Sequence, residues 1–117
     1  HPGNPEFEID IDAVLKKAKE KDVLIEINNS SFVTSRAGSY RNCLRIAQRA
    51  AQIGVNIIAG TDSHICFDIG VFDEAEEVIK KAGVPDSLIM NLYPERFTRY
   101  LIGKGKLADL KQQPRRV

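Results

Sequence analysis

The chain has 117 residues, enough for one domain, and its 43% hydrophobic and 28% charged residues are typical of a globular protein. Its net charge of +1 offers no general attraction to nucleic acid or anionic membranes, and no apolar run reaches the roughly 18 residues of a membrane span. We therefore expect neither a nucleic-acid nor a membrane partner. Cys43 and Cys66 show no C-x-x-C spacing, so we expect reduced thiols in a cytoplasmic protein.

The first predicted elements are a helix and a strand. Apolar residues recur at helical spacing from Ile11, Asp10 can cap the helix start, and Lys19 suits its negative end. The β-rich run 23–27 follows and ends in a polar loop at 28–31. Because the run is nearly all apolar, we expect a strand that is covered on both faces.

A second helix and strand come next. Ser39 is expected to cap a helix from Tyr40 to about Ile53, which Gly54 ends. Residues 55–60 form a second apolar strand, and the polar loop 61–64 follows it.

The remaining elements repeat this alternation. Asp73 and Glu76 resemble a capping box that starts a third helix, and Gly83 stands near its end. Residues 88–90 are predicted as a third strand, and a last helix is predicted over 94–103.

Strands that alternate with single helices predict an α/β fold with a parallel sheet. We assign residues 1–103 to this fold and residues 104–117 to a polar, basic tail.

The unusual polar residues stand where strands end, which is where parallel α/β folds carry their functional side chains. Asp62 and His64 are one residue apart, so on a strand both would point to one face, where they could bind zinc, manganese or iron. His1 could be a further ligand. The alternatives are a capping Asp62, a solvated His64 and a loose terminal histidine.

Three further residues could contact a substrate. Asn29 and Ser30 belong to a run of neutral hydrogen-bonding groups that can orient a phosphate, although such runs usually form only a turn. Arg36 could bind a phosphate through its forked donors, or it could be a solvent-exposed loop residue. Glu26 interrupts an apolar strand, so it must be paired or face a polar interior.

Several strings resemble the single-domain bacterial phosphatases of the PHP (polymerase and histidinol phosphatase) superfamily. The resemblance runs from His1 to about Leu101, and the motifs occur in the family's order. The strings that carry it are His1-Pro2-Gly3-Asn4-Pro5, Leu24 to Phe32, Ser35-Arg36 with Gly38-Ser39, Asn42-Cys43, and Thr61-Asp62-Ser63-His64.

The resemblance implies the C-terminal portion of a distorted (β/α)7 barrel that hydrolyses phosphate monoesters at a cluster of two or three divalent metals, commonly zinc or manganese. By position, His1, Asp62 and His64 correspond to family ligands, each helping to hold a different metal. The chain begins at the H-P-G motif, so the resemblance also implies that the other half of the barrel is absent. We therefore expect an inactive chain that needs that half or self-associates at its open sheet edges.

Two other functions stay open at this point. The chain could be a non-catalytic interaction or nucleic-acid-associated module, like the PHP domains of DNA polymerases, with its basic tail as the contact. It could also be an α/β enzyme with Cys43 or Cys66 as nucleophile, although no histidine is placed by sequence to activate either thiol.

Overall fold

The structure, a computed structural model, describes Glu6, residues 8–33 and residues 37–107. This part of the chain forms two strands and five α-helices, with four short 3-10 turns between them. In chain order the strands and helices are α1 (Ile11–Glu20), β1 (Ile25–Asn28), α2 (Ser30–Val33), α3 (Tyr40–Ile53), β2 (Ile57–Gly60), α4 (Asp73–Lys81) and α5 (Pro94–Gly103). No helix within these residues is long and apolar enough to cross a membrane.

The two strands pair in parallel, as predicted for an α/β fold. Ile25 pairs with Ile57 and Asn28 with Gly60, so the carboxyl ends of β1 and β2 lie side by side. Parallel strands need a crossover connection, usually a helix, and α3 is the long helix between these two strands.

The third predicted strand, over residues 88–90, is wrong. Residues 86–92 form two 3-10 turns, and only Ile89 makes an isolated parallel bridge, to Ile57. Where the ladder would continue, the Asn91 side chain takes the place of a strand. Its Oδ1 accepts from Ala59 N at 2.7 Å and its Nδ2 donates to Ala59 O at 3.0 Å. Because the side chain already occupies both backbone groups of Ala59, no further ladder bond forms there.

The sheet is covered on one face, which corrects the expectation of two covered faces. Ile27 and Ile57 point to the same face and are buried against α1, α3 and α4. The opposite face carries Glu26, which is exposed, and Ile58, which is half-buried. On that face the Glu26 carboxylate lies over Gly60, so a Cβ at this position would require the exposed Glu26 side chain to move.

Some predicted helix ends are correct and others are not. Asp10 caps α1 by accepting from Ala13 N at 3.0 Å, and Gly54 ends α3 in the left-handed conformation. Ser39 makes no side-chain cap, because it belongs to a 3-10 turn and already has helical backbone angles. The capping box at Asp73 is also wrong, because Asp73 is the first helical residue and Phe72 stands at the cap position.

Polar contacts join the helices at the surface. The Arg49 guanidinium of α3 donates to both carboxylate oxygens of Asp12 in α1, and this hydrogen bonding lowers the pKa of Asp12. Lys19 lies in the last turn of α1, as predicted, and its ammonium donates to the Ile53 carbonyl at the end of α3, at 2.5 Å. These contacts fix α1 and α3 against each other at both ends of their interface.

The C-terminal helix is anchored to the turn between α1 and β1. Tyr100 donates its hydroxyl to Asp22 O at 3.1 Å, and Lys104 donates to Lys21 O at 2.9 Å. Most of the predicted tail, residues 108–117, lies outside the described residues.

Candidate functional site

An open cleft of about 390 Å³ lies at the carboxyl ends of the two strands. It is bordered by the turn after β1, the loop after β2 and the first turn of α4. The described residues that line it are Asn29, Ser30, Thr61, Asp62, His64, Asp68, Val71, Asp73 and Glu74.

The turn after β1 supplies a rigid border to the cleft. Asn28 accepts from Ser30 N at 2.9 Å through its side chain, and Asn29 N extends the ladder by donating to Gly60 O at 2.8 Å. Ser30 and Ser31 were predicted as loop, but they begin the one-turn helix α2. Asn29 is only 5% exposed and accepts from Ala75 N at 2.9 Å through Oδ1, so it joins β1 to α4.

The loop after β2 brings Asp62 and His64 to the same cleft. The prediction that one strand face presents both side chains is wrong, because β2 ends at Gly60 and Asp62 has a left-handed backbone with φ of 52°. The imidazole Nδ1 of His64 lies 2.7 Å from Asp62 O. A carbonyl can only accept, so Nδ1 carries a proton, and in the neutral ring the lone pair for a ligand is on Nε2.

The cleft is acidic. Its described lining includes four carboxylates and one imidazole, with neither lysine nor arginine among them. Such a lining attracts cations and repels a phosphate dianion unless cations are bound. Three carboxylates of this lining were not predicted as site residues from the sequence: Asp68, Asp73 and Glu74. The signal was available, because a helix that follows a parallel strand starts at that strand's carboxyl edge.

An apolar segment adjoins the cleft. Within the loop 65–71, the side chains of Ile65, Phe67, Ile69 and Val71 are exposed, and Phe67 is 85% exposed. Asp68 and Val71 belong to both this segment and the cleft lining. Exposed apolar side chains at this density are typical of a surface that another group covers.

Among the other candidate residues, Cys43 and Cys66 are described, and neither is among the residues that line this cleft. His1 and Arg36 lie outside the described residues. Within residues 8–33 and 37–107, no three His, Cys, Asp or Glu side chains are arranged as a metal site. Cys43 and Cys66 are free thiols, as predicted, and burial raises the pKa of Cys43, which disfavours its reactive thiolate.

The fold and the cleft define an α/β protein whose polar side chains collect at the carboxyl edge of parallel strands. No family model matches the chain. It is similar to a probable phosphatase of Clostridium novyi (strain NT), with 53% identity over 110 residues, 94% of this chain and 45% of the relative. A probable phosphatase of Clostridium acetobutylicum is 54% identical over 109 residues, 93% of this chain and 45% of the relative.

A relative from another genus gives the same result. A probable phosphatase of Thermoanaerobacter sp. (strain X514) is 52% identical over 106 residues, which are 91% of this chain and 43% of the relative. The chain therefore spans a little less than half the length of the curated relatives that it matches.

Proposed function

We propose that this chain is the C-terminal part of a metal-dependent phosphatase of the PHP type, which hydrolyses phosphate monoesters. The observation that carries the proposal is the shared cleft of Asp62 and His64, two residue types that suit divalent metals. Relatives named probable phosphatase at more than 50% identity support the reaction class.

The chemistry of the cleft fits a divalent cation. His64 has its Nδ1 proton fixed on a backbone carbonyl, which is the usual outer contact of a metal-binding histidine. The Asp62 carboxylate lies in the same cleft, and the family resemblance implies that Asp62, His64 and His1 each help to hold a different metal of a cluster. Zinc is the first candidate, with manganese or iron as alternatives. When bound, such an ion lowers the pKa of its water from roughly 15.7 to about 7.

The chain's own residues would then position the substrate. Asn29 and Ser30 border the cleft opposite the loop of Asp62, so their side chains can orient a phosphoryl group. Arg36 is proposed to bind phosphoryl oxygens from the segment that follows α2, as the resemblance implies. The acidic lining alone would repel the substrate, so these donors act together with the bound cations.

The open face of the sheet supports a larger closed fold. Glu26 and Ile58 are on a face that a barrel would enclose, and the relatives have more than half of their length outside the matched region. We propose that this remaining segment completes a (β/α)7 barrel and supplies the other metal ligands.

The test compares the 117-residue chain with a longer protein that joins it to the segment matching the rest of its relatives. Bound metal is measured by elemental analysis, and activity is measured as p-nitrophenyl phosphate turnover. In the longer protein, Asp62→Ala and His64→Ala should each lower metal affinity by at least the roughly 10- to 100-fold that loss of an outer contact costs. Turnover should fall with the metal.

The matched control is Asp86→Ala, which removes an exposed carboxylate on a 3-10 turn away from the cleft. It should retain both metal and turnover. Turnover that survives chelation and both cleft substitutions would refute the metal-dependent reaction.

A further inference from the structure

The start of α4 has an unusual arrangement of hydrogen-bond donors. No local side chain caps this nine-residue helix, and its third amide, Ala75 N, donates instead to Asn29 from across the cleft. The first two amides, Asp73 N and Glu74 N, cannot bond within the helix, and no described group accepts from them. Both residues line the cleft, which lies at this N-terminal end of α4.

Asn29 adds a buried donor at the same point. Because Ala75 N is a donor, the amide oxygen of Asn29 must be its acceptor, and the orientation of the carboxamide is fixed by chemistry. The Nδ2 group is therefore left over. The residue is 5% exposed and lines the cleft, and no partner for Nδ2 occurs among the described residues. A buried amide donor without a partner is rare in native proteins and calls for a ligand.

We infer that Asn29 Nδ2 and the first-turn amides of α4 form the anion site that receives the phosphoryl group of the substrate. This inference rests on the proposed function and extends it, because it assigns the phosphoryl oxygens to neutral donors at a helix N-terminus. Three N–H donors carried by residues of one cleft lining would suit the tetrahedral oxygens of a phosphate. The resulting role of Asn29 is double: its oxygen holds α4 in place and its nitrogen contacts the substrate.

The surrounding charges set a condition on this site. The carboxylates of Asp62, Asp68, Asp73 and Glu74 line the same cleft and oppose the entry of a dianion. Neutral donors and the positive end of one helix offset only part of this repulsion, because the helix end is equivalent to about half a charge. Phosphate affinity should therefore rise when a divalent cation is present.

The decisive variant is Asn29→Asp in the longer protein, with inorganic phosphate as a competitive inhibitor of p-nitrophenyl phosphate turnover. Aspartate keeps an oxygen for Ala75 N but removes the donor, so the melting temperature should fall less than it does in Asn29→Ala. The inhibition constant for phosphate should rise by about tenfold or more. Asn29→Ala removes both functions, so it should lower the melting temperature as well.

A charge-matched control separates donor loss from added repulsion. Val71→Asp places a new carboxylate on the cleft lining without touching the amide of Asn29. Its effect on the inhibition constant should be several times smaller than that of Asn29→Asp. Equal effects of the two variants, or an unchanged inhibition constant in Asn29→Asp, would overturn the inference.

Nuclear magnetic resonance of the 117-residue chain keeps the inference independent of turnover. Titration with inorganic phosphate, with and without saturating magnesium, should shift the Asn29 side-chain NH2 signals and the backbone amides of Asp73 and Glu74. Binding without turnover in the longer protein would sink the proposed function but retain the anion site. Turnover together with unshifted signals and an unchanged inhibition constant in Asn29→Asp would refute the anion site but retain the proposed function.

Discussion

The side chain of Asn91 should hold the free edge of β2, and Asn91→Ala tests this directly. Oδ1 accepts from Ala59 N at 2.7 Å and Nδ2 donates to Ala59 O at 3.0 Å, so both backbone groups of Ala59 depend on one residue. The strand ends one residue later, at Gly60, and continues into the loop of the cleft. Loss of this edge contact should therefore reach the candidate site.

The size of the effect follows from two hydrogen bonds of about 0.5–1.5 kcal/mol each, which together give about 1–3 kcal/mol. Asn91 is exposed, so water can replace part of what is lost, and we expect the lower half of that range, about 1–2 kcal/mol. A loss of this size is measurable against a total stability of about 5–15 kcal/mol for a typical domain.

Urea unfolding followed by circular dichroism gives the free energy, and hydrogen exchange gives the local effect. The Ala59 amide should exchange faster in Asn91→Ala. Asn91→Asp keeps an acceptor for Ala59 N but places a carboxylate oxygen against Ala59 O, so it should cost at least as much as alanine despite its similar shape. Unchanged stability and unchanged Ala59 exchange in Asn91→Ala would refute the reasoning.

Two further predictions concern the two faces of the sheet and the exposed apolar side chains of the loop 65–71. Ile57 is 0% exposed, so Ile57→Ala should cost about 2–5 kcal/mol in urea unfolding, whereas Ile58→Ala on the open face should cost clearly less; equal costs would contradict a sheet covered on one side. Phe67→Ser should reduce self-association in sedimentation experiments while changing stability by less than about 0.5 kcal/mol. The control Val14→Ser, at an exposed position of α1, should leave self-association unchanged. A wild-type chain that stays monomeric at high concentration would contradict the second prediction.

Much of the helical layout could be predicted because the signals are local. The apolar stripe and Gly54 placed α3 at its observed bounds, since helical spacing and a left-handed glycine act over a few neighbouring residues. Asp10 was identified as a cap for the same reason. The two apolar runs were identified as parallel strands, although each observed strand is shorter than its run.

The errors fall where a distant partner decides. Residues 88–90 have the composition of a strand, but the Asn91 side chain occupies the backbone groups that a third strand would need. Asp73 has the composition of a cap, but Asn29, far away in sequence, supplies the bond to the start of α4. Both outcomes depend on a contact partner far away in sequence, which is Ala59 for Asn91 and Ala75 for Asn29.

The sequence by itself determined the alternation of helices and strands, and with it the edge at which the polar loops meet, because both depend on local periodicity and on the geometry of parallel connections. Only the tertiary structure decided which side chains share the cleft. It brought Asp68, Asp73 and Glu74 beside Asp62 and fixed the amide of Asn29 against α4. The physical reason is that such contacts join elements far apart along the chain, whose distance is set only when the common core packs.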